Sequence, residues 1–146
     1  MSSFPELEPT KKQLQELLDL YNTGNFQLVL DKVKYFLQYF PNSVSLFNIK
    51  GSAHAELKQL DLAITSYKLV VKFQPNLAEA HFNLGSVFHE NLQFDDAISS
   101  YKTALKFKPE LFAAFFNLGN IYKEIDKIES GIDCYESVIG LKPNHA

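Results

Sequence analysis

Apolar residues along the chain fall into paired stripes at helical spacing, and a short polar break separates the two members of each pair. The stretch from 78 to 111 is the clearest. There His81 or Phe82, Leu84, Gly85 and Phe88 line one helix face, and Phe94, Ala97, Ile98, Tyr101, Ala104 and Leu105 line the next. Asn91-Leu92-Gln93 forms the turn between them. The same alternation returns with a period of 34 residues, marked by Pro41, Pro75, Pro109 and Pro143. A proline inside a helix lacks the amide donor and clashes with the preceding turn, at a cost of about 3 kcal/mol. Each of the four therefore closes a second helix. The pattern predicts about eight helices in four helix-turn-helix units.

With the proline at position 32, the units begin at Thr10, Val44, Ala78 and Phe112. This gives repeats 10–43, 44–77, 78–111 and 112–145 in one domain spanning 10–143, after a disordered segment 1–9. Several columns repeat residue types. Position 8 reads Leu17, Gly51, Gly85, Gly119; position 20 reads Val29, Ala63, Ala97, Gly131; position 24 reads Val33, Tyr67, Tyr101, Tyr135. Small residues at positions 8 and 20 let two backbones approach, and the neighbouring aromatics fill the space they leave. Lys106 and Lys108 suit the negative end of the sixth helix.

These columns resemble the tetratricopeptide repeat pattern of an aromatic, Leu-Gly, Tyr, Ala, an aromatic and Pro. In the third unit His81, Leu84-Gly85, Phe88, Ala97, Tyr101, Ala104 and Pro109 match it. In the fourth, Phe115, Leu118-Gly119, Tyr122, Tyr135 and Pro143 do, with Gly131 in place of Ala. The departures are Leu17 and Val33 in the first unit, as expected at the end of an array, and Lys50 where the second should carry Leu. The resemblance implies an all-α fold, a right-handed α-solenoid of four repeats whose first helices line a concave groove. It also implies a scaffold for protein-protein interaction.

Composition narrows the function. A net charge of −3 and a pI near 5.8 give no basic footprint for nucleic acid. No apolar run has the length of a signal peptide core or a membrane span, so the cytoplasm is the expected compartment. Cys134, the single cysteine, reads as a packed structural thiol. No catalytic, metal-binding or cofactor-binding constellation emerges. His54 and His81 sit in aromatic columns, His89 shares no ligand spacing with Glu90 or Asp95, His145 lies at the end, and Asp95-Asp96 open a helix whose dipole favours them. The chain reads as a non-enzyme.

Function then rests on the surface that packing leaves over. Positions 4, 7, 8 and 11 of each first helix share one face, so positions 2, 6, 9 and 13 lie opposite and should floor the groove. The candidate peptide-binding residues are Asn83, Ser86 and Glu90 in the third unit and Asn117, Asn120 and Glu124 in the fourth, with Phe82 and Phe116 as flanking anchors at position 5. The amides at position 6 can grip an extended peptide backbone without selecting its sequence, an arrangement that resembles the asparagine ladder of the repeat domain in protein O-GlcNAc transferase. The Glu56, Glu90 and Glu124 column favours a basic partner. A carboxylate clamp for a peptide terminus is not expected, because the matching positions hold Asn83, Ala113 and Asn117, with Glu79 close by. The last unit offers Ile132, Tyr135, Val138, Ile139 and Leu141, more apolar surface than one partner helix covers. That end either continues into a longer protein or pairs with another copy. Two functions follow: an interaction module that binds a partner peptide or helix in the groove, or the leading segment of a larger bacterial enzyme of glycosyl- or sulfotransferase type.

Overall fold

Helices begin where the repeat register places them. The computed structural model describes residues 7–141, and the regular structure among them is entirely α-helical. The second helices start at position 17 in every repeat: α2 (Phe26–Leu37), α4 (Leu60–Phe73), α6 (Phe94–Phe107) and α8 (Ile128–Leu141). The first helices are α1 (Lys11–Asn22), α3 (Val44–Glu56), α5 (Ala78–Glu90) and α7 (Phe112–Glu124). Pro75 and Pro109 fall two residues after the ends of α4 and α6, the expected place for a residue that cannot continue a helix. Pro143 and His145 lie outside the described residues, as does the side chain of Leu141.

The turn inside each repeat is a left-handed helix cap. Position 15 has positive φ in all four repeats: Gly24 (79°), Lys58 (58°), Leu92 (59°) and Asp126 (59°). Around Leu92, the Leu92 amide donates to the His89 carbonyl at 3.0 Å and the Gln93 amide to the Phe88 carbonyl at 2.8 Å, the paired bonds of a Schellman motif. The last carbonyls of α5 are thereby satisfied and the chain reverses into α6. Only the first repeat places glycine, which adopts this conformation without a Cβ penalty, at this position.

The chain divides into two compact units, residues 1–75 and 76–146. In the first, α1 pairs with α2 and α3 with α4, while α3 also packs on α2 and α1. Its core joins Leu17, Val29, Val33 and Phe36 to Leu46, Ile49 and Ala53. Thr10 and Gln13 form a reciprocal capping box at the start of α1. Ser43 caps α3 through the Leu46 amide and is itself fully buried. The Glu8 carboxylate reaches the same helix start, accepting from the Ser43 hydroxyl, from the Val44 amide at 2.8 Å and from the Ser45 amide at 3.4 Å. Glu8, expected within a disordered segment 1–9, is thus held at the start of α3, and Pro9 is buried. Free amides at a helix N-terminus attract an anion, and a carboxylate three residues before α1 reaches those of α3. Residues 1–6 lie outside the described residues.

In the second unit, α5 pairs with α6 and α7 with α8, and α7 packs on α6 and α5. Position 8 explains the pairing. A Cβ on Gly85 would stand 3.0 Å from the Tyr101 ring, and one on Gly119 would stand 2.7 Å from the Tyr135 ring. Glycine in the first helix makes room for tyrosine in the second. The first repeat of the chain solves the same contact with the sizes exchanged, Leu17 against Val33, both fully buried.

Candidate functional site

The eight candidate residues lie on α5 and α7, within the second unit. They do not all converge. Ser86, Glu90, Asn117 and Glu124 line one cavity of about 340 Å³ together with His89, Leu92 and Tyr101. Phe82, Asn83, Phe116 and Asn120 are not among its lining residues.

Tyr101 organises the polar wall. Its ring is fully buried beneath α5, and its hydroxyl donates to Ser86 Oγ at 3.1 Å while accepting from Asn117 Nδ2 at 3.1 Å. One oxygen from α6 thus ties α5 to α7. Burial raises the phenol pKa, and the hydrogen-bond partners Ser86 and Asn117 oppose that shift. The Tyr135 hydroxyl repeats half of this arrangement by donating to Asn120 Oδ1 at 2.6 Å. In the first unit Tyr67 and Ser52 make the equivalent contact at 2.9 Å. Position 9 is therefore the partner of the position 24 tyrosine throughout the last three repeats, and Asn117 commits its amide donor to the seam between α6 and α7.

That seam corrects the one-sided picture of the first helices. Positions 3 and 10, left out of both the packing face and the groove floor by sequence, are buried as Leu46 and Ala53 on α3 and as Ala114 and Ile121 on α7. Each of these helices is covered by its own second helix and also by the second helix of the preceding repeat. Position 6 borders the second seam, so Ile49 is buried there and Asn117 is only partly exposed.

The acidic column is also engaged. Glu124 Oε1 lies 2.9 Å from His89 Nε2, and Glu56 Oε1 accepts from the Tyr21 hydroxyl at 3.1 Å. Both contacts link position 12 of one repeat to position 13 of the next. Burial and the adjacent Glu56 carboxylate push the Tyr21 phenol up to about 12. His54 and His81, expected as packing residues, behave so: His54 is buried with Nδ1 2.7 Å from Gln59 Oε1, and His81 stacks on Phe107 at 5.8 Å.

The two phenylalanines differ. Phe82 is half-buried with its ring tilted against Tyr101 at 5.5 Å. Phe116 is 53% exposed and touches Tyr135 at 5.9 Å. What sequence reading missed at this site is the Tyr101 hydroxyl and its bridge. The available signal was the choice of tyrosine over phenylalanine at a buried column, since a buried phenol requires a hydrogen-bond partner.

A family model described as TPR repeat matches residues 51–91 and 93–126, just over half of the chain, and one described as tetratricopeptide repeat matches residues 112–145. The chain belongs to the tetratricopeptide repeat family. Among solved structures, MamA from Desulfovibrio magneticus RS-1 (41-end) is similar with a TM-score of 0.86 at 23% identity, over 96% of this chain and 78% of that one. A MamA RS-1 double mutant gives a TM-score of 0.83 at 24% identity over 90% and 74%. A further crystal structure of MamA gives 0.80 at 25% identity over 87% and 74%. These likenesses establish the all-α tetratricopeptide repeat solenoid as the fold class. No curated protein matches the sequence. Among the described residues no group of three or more His, Cys, Asp or Glu side chains could hold a metal ion, and no helix is long and apolar enough to cross a membrane.

Proposed function

We propose that this tetratricopeptide repeat chain is a non-catalytic interaction module that binds an extended peptide along α5 and α7. The observation that carries the reading is the cavity between these helices, which brings Ser86, Glu90, Asn117 and Glu124 together beside the fixed Tyr101 hydroxyl. Its polar groups are held in place before any ligand arrives, which lowers the ordering cost of binding. Glu90 and Glu124 give it an acidic rim suited to a Lys or Arg side chain, and the carbonyl oxygen of Asn117 remains an acceptor for a peptide amide. Phe116 supplies an exposed aromatic on the same helix, the residue type that most often anchors a peptide. Phe82, half-buried against Tyr101, serves the repeat's packing more than the ligand.

Panning a random peptide library on the chain tests this. The expected consensus is an extended segment carrying a basic residue. Phe116→Ala should weaken the selected peptide about tenfold while leaving the melting temperature in place. Phe82→Ala should lower the melting temperature by several degrees. Selected peptides whose affinity ignores both Phe116→Ala and Glu90→Gln would place binding elsewhere and defeat the proposal.

A further inference from the structure

A second surface stands apart from that cavity, on α8. Ile128, Ile132 and Ile139 are 54%, 49% and 66% exposed. They occupy positions 17, 21 and 28, and the residues at these positions in the first repeat are Phe26, Leu30 and Leu37. Those three pack against the core cluster to which α3 contributes Leu46, Ile49 and Ala53. Within the fold, then, this stripe of a second helix is covered by the first helix of a following repeat. On α3 the covering residues are apolar at i, i+3 and i+7.

A polar row runs beside the stripe. On α2 it consists of Gln27, Asp31 and Lys34, which line a cleft with Lys50 and His54 of α3. On this pair of helices α3 therefore sets Lys50 and His54, at i+4 and i+8 from Leu46, against positions 18, 22 and 25 of α2. On α2 that row carries one acid and one base, and on α6 its residues Asp95, Ser99 and Lys102 also balance. On α8 it reads Glu129, Asp133 and Glu136, three exposed carboxylates at i, i+4 and i+7 on a helix with no Lys or Arg. The apolar stripe and the acidic row together describe one kind of ligand.

We propose that the exposed face of α8 docks a basic amphipathic helix of a partner protein, with apolar residues at i, i+3 and i+7 and Lys or Arg at i+4 and i+8. A second copy of this chain cannot supply that helix head-to-tail. The corresponding face of its α1 holds Lys12, Gln15 and Asp19, all exposed and polar. Pairing α8 with another α8 would oppose two acidic rows, and like charges held face to face disfavour the contact.

The chain provides its own probe. A labelled synthetic peptide of residues 42–58 carrying Gly51→Ala for helicity and His54→Arg for charge contains Leu46, Ile49 and Ala53 with bases at i+4 and i+8. Its anisotropy on titration with the full chain should rise and saturate. Ile132→Ala should weaken it about tenfold, and neutralising the row with Glu129→Gln, Asp133→Asn and Glu136→Gln about tenfold again. All of these positions are exposed, and circular dichroism should show the variants folded. A peptide with Lys50→Glu and Arg in neither position should bind poorly to the native chain and better to Glu136→Lys, while a peptide of the α1 sequence should not bind. Absence of saturation at any soluble concentration, or binding indifferent to the charge changes, overturns the proposal. So does a dimer of the chain alone, seen by sedimentation equilibrium and dissolved by Ile132→Ala, which would assign the face to a second copy. None of these readouts involves the α5/α7 cavity, so the two proposals stand or fall separately.

Discussion

Gly85→Ala should destabilise the protein in one context and stabilise it in another, and the sign change follows from a single contact. An added Cβ would lie 3.0 Å from Cδ1 and Cε1 and 3.2 Å from Cγ of Tyr101. Carbon pairs prefer about 3.5–4.0 Å, so the ring has to withdraw by roughly 0.5–1 Å. It has little room, because it is fully buried and its hydroxyl is held at 3.1 Å by both Ser86 and Asn117. Overpacking of this kind costs about 1–3 kcal/mol. The preference of a helix for Ala over Gly returns about 0.8–1 kcal/mol. The net loss is up to about 2 kcal/mol, or as much as a few degrees in melting temperature. In a Tyr101→Val background the ring is gone, as it is in the first repeat, where Val33 faces Leu17. There the same Gly85→Ala change should raise stability by about 1 kcal/mol, giving a coupling of about 1–3 kcal/mol between the two positions. Urea unfolding of the four proteins, followed by circular dichroism, measures it. Equal effects of Gly85→Ala in both backgrounds would show that the ring does not press on this glycine, and the size-exchange account of positions 8 and 24 would fail.

Two further outcomes are expected. Leu92 pays for a φ of 59° while 70% exposed, so Leu92→Gly should gain up to about 1 kcal/mol by urea midpoint, whereas the exposed mid-helix change Lys68→Gly should lose about 1 kcal/mol. The Tyr21 phenol is pushed up from 10.0 to about 12, which means the fold favours its protonated form. Its contribution is complete below pH 10 and disappears as pH rises through 12, so the urea midpoint should fall more steeply over that window in the native chain than in Tyr21→Phe.

The period made the architecture readable because every repeat meets the same packing problem. Helix starts at Phe26, Leu60, Phe94 and Ile128 share one column, and a column can be read from sequence without knowing what lies next to it. Three features resisted. Positions 3 and 10 were missed because a helical face is inferred against one partner, whereas α3 and α7 are each covered from two sides. The left-handed turn carries its glycine signal only at Gly24; Lys58, Leu92 and Asp126 adopt the same backbone against their preference, held there by the bonds that terminate the preceding helix. The common face of Ser86, Glu90, Asn117 and Glu124 was legible, since these four residues line one cavity. Their hydrogen bonds were not. Asn117 to Tyr101 and His89 to Glu124 join residues 16 and 35 apart, and periodicity gives each residue's column but not the side-chain reach between columns.

The bridge at Tyr101 also bears on how such a surface can be altered, by selection or by engineering. Ser86 and Asn117 face the cavity and at the same time hold one phenolic oxygen between three helices. Substituting either would change the joint among α5, α6 and α7 along with the wall of the cavity. Cavity chemistry and mechanical stiffness are therefore inherited together at these two positions, whereas Phe116, 53% exposed and outside the bridge, can change without touching that joint.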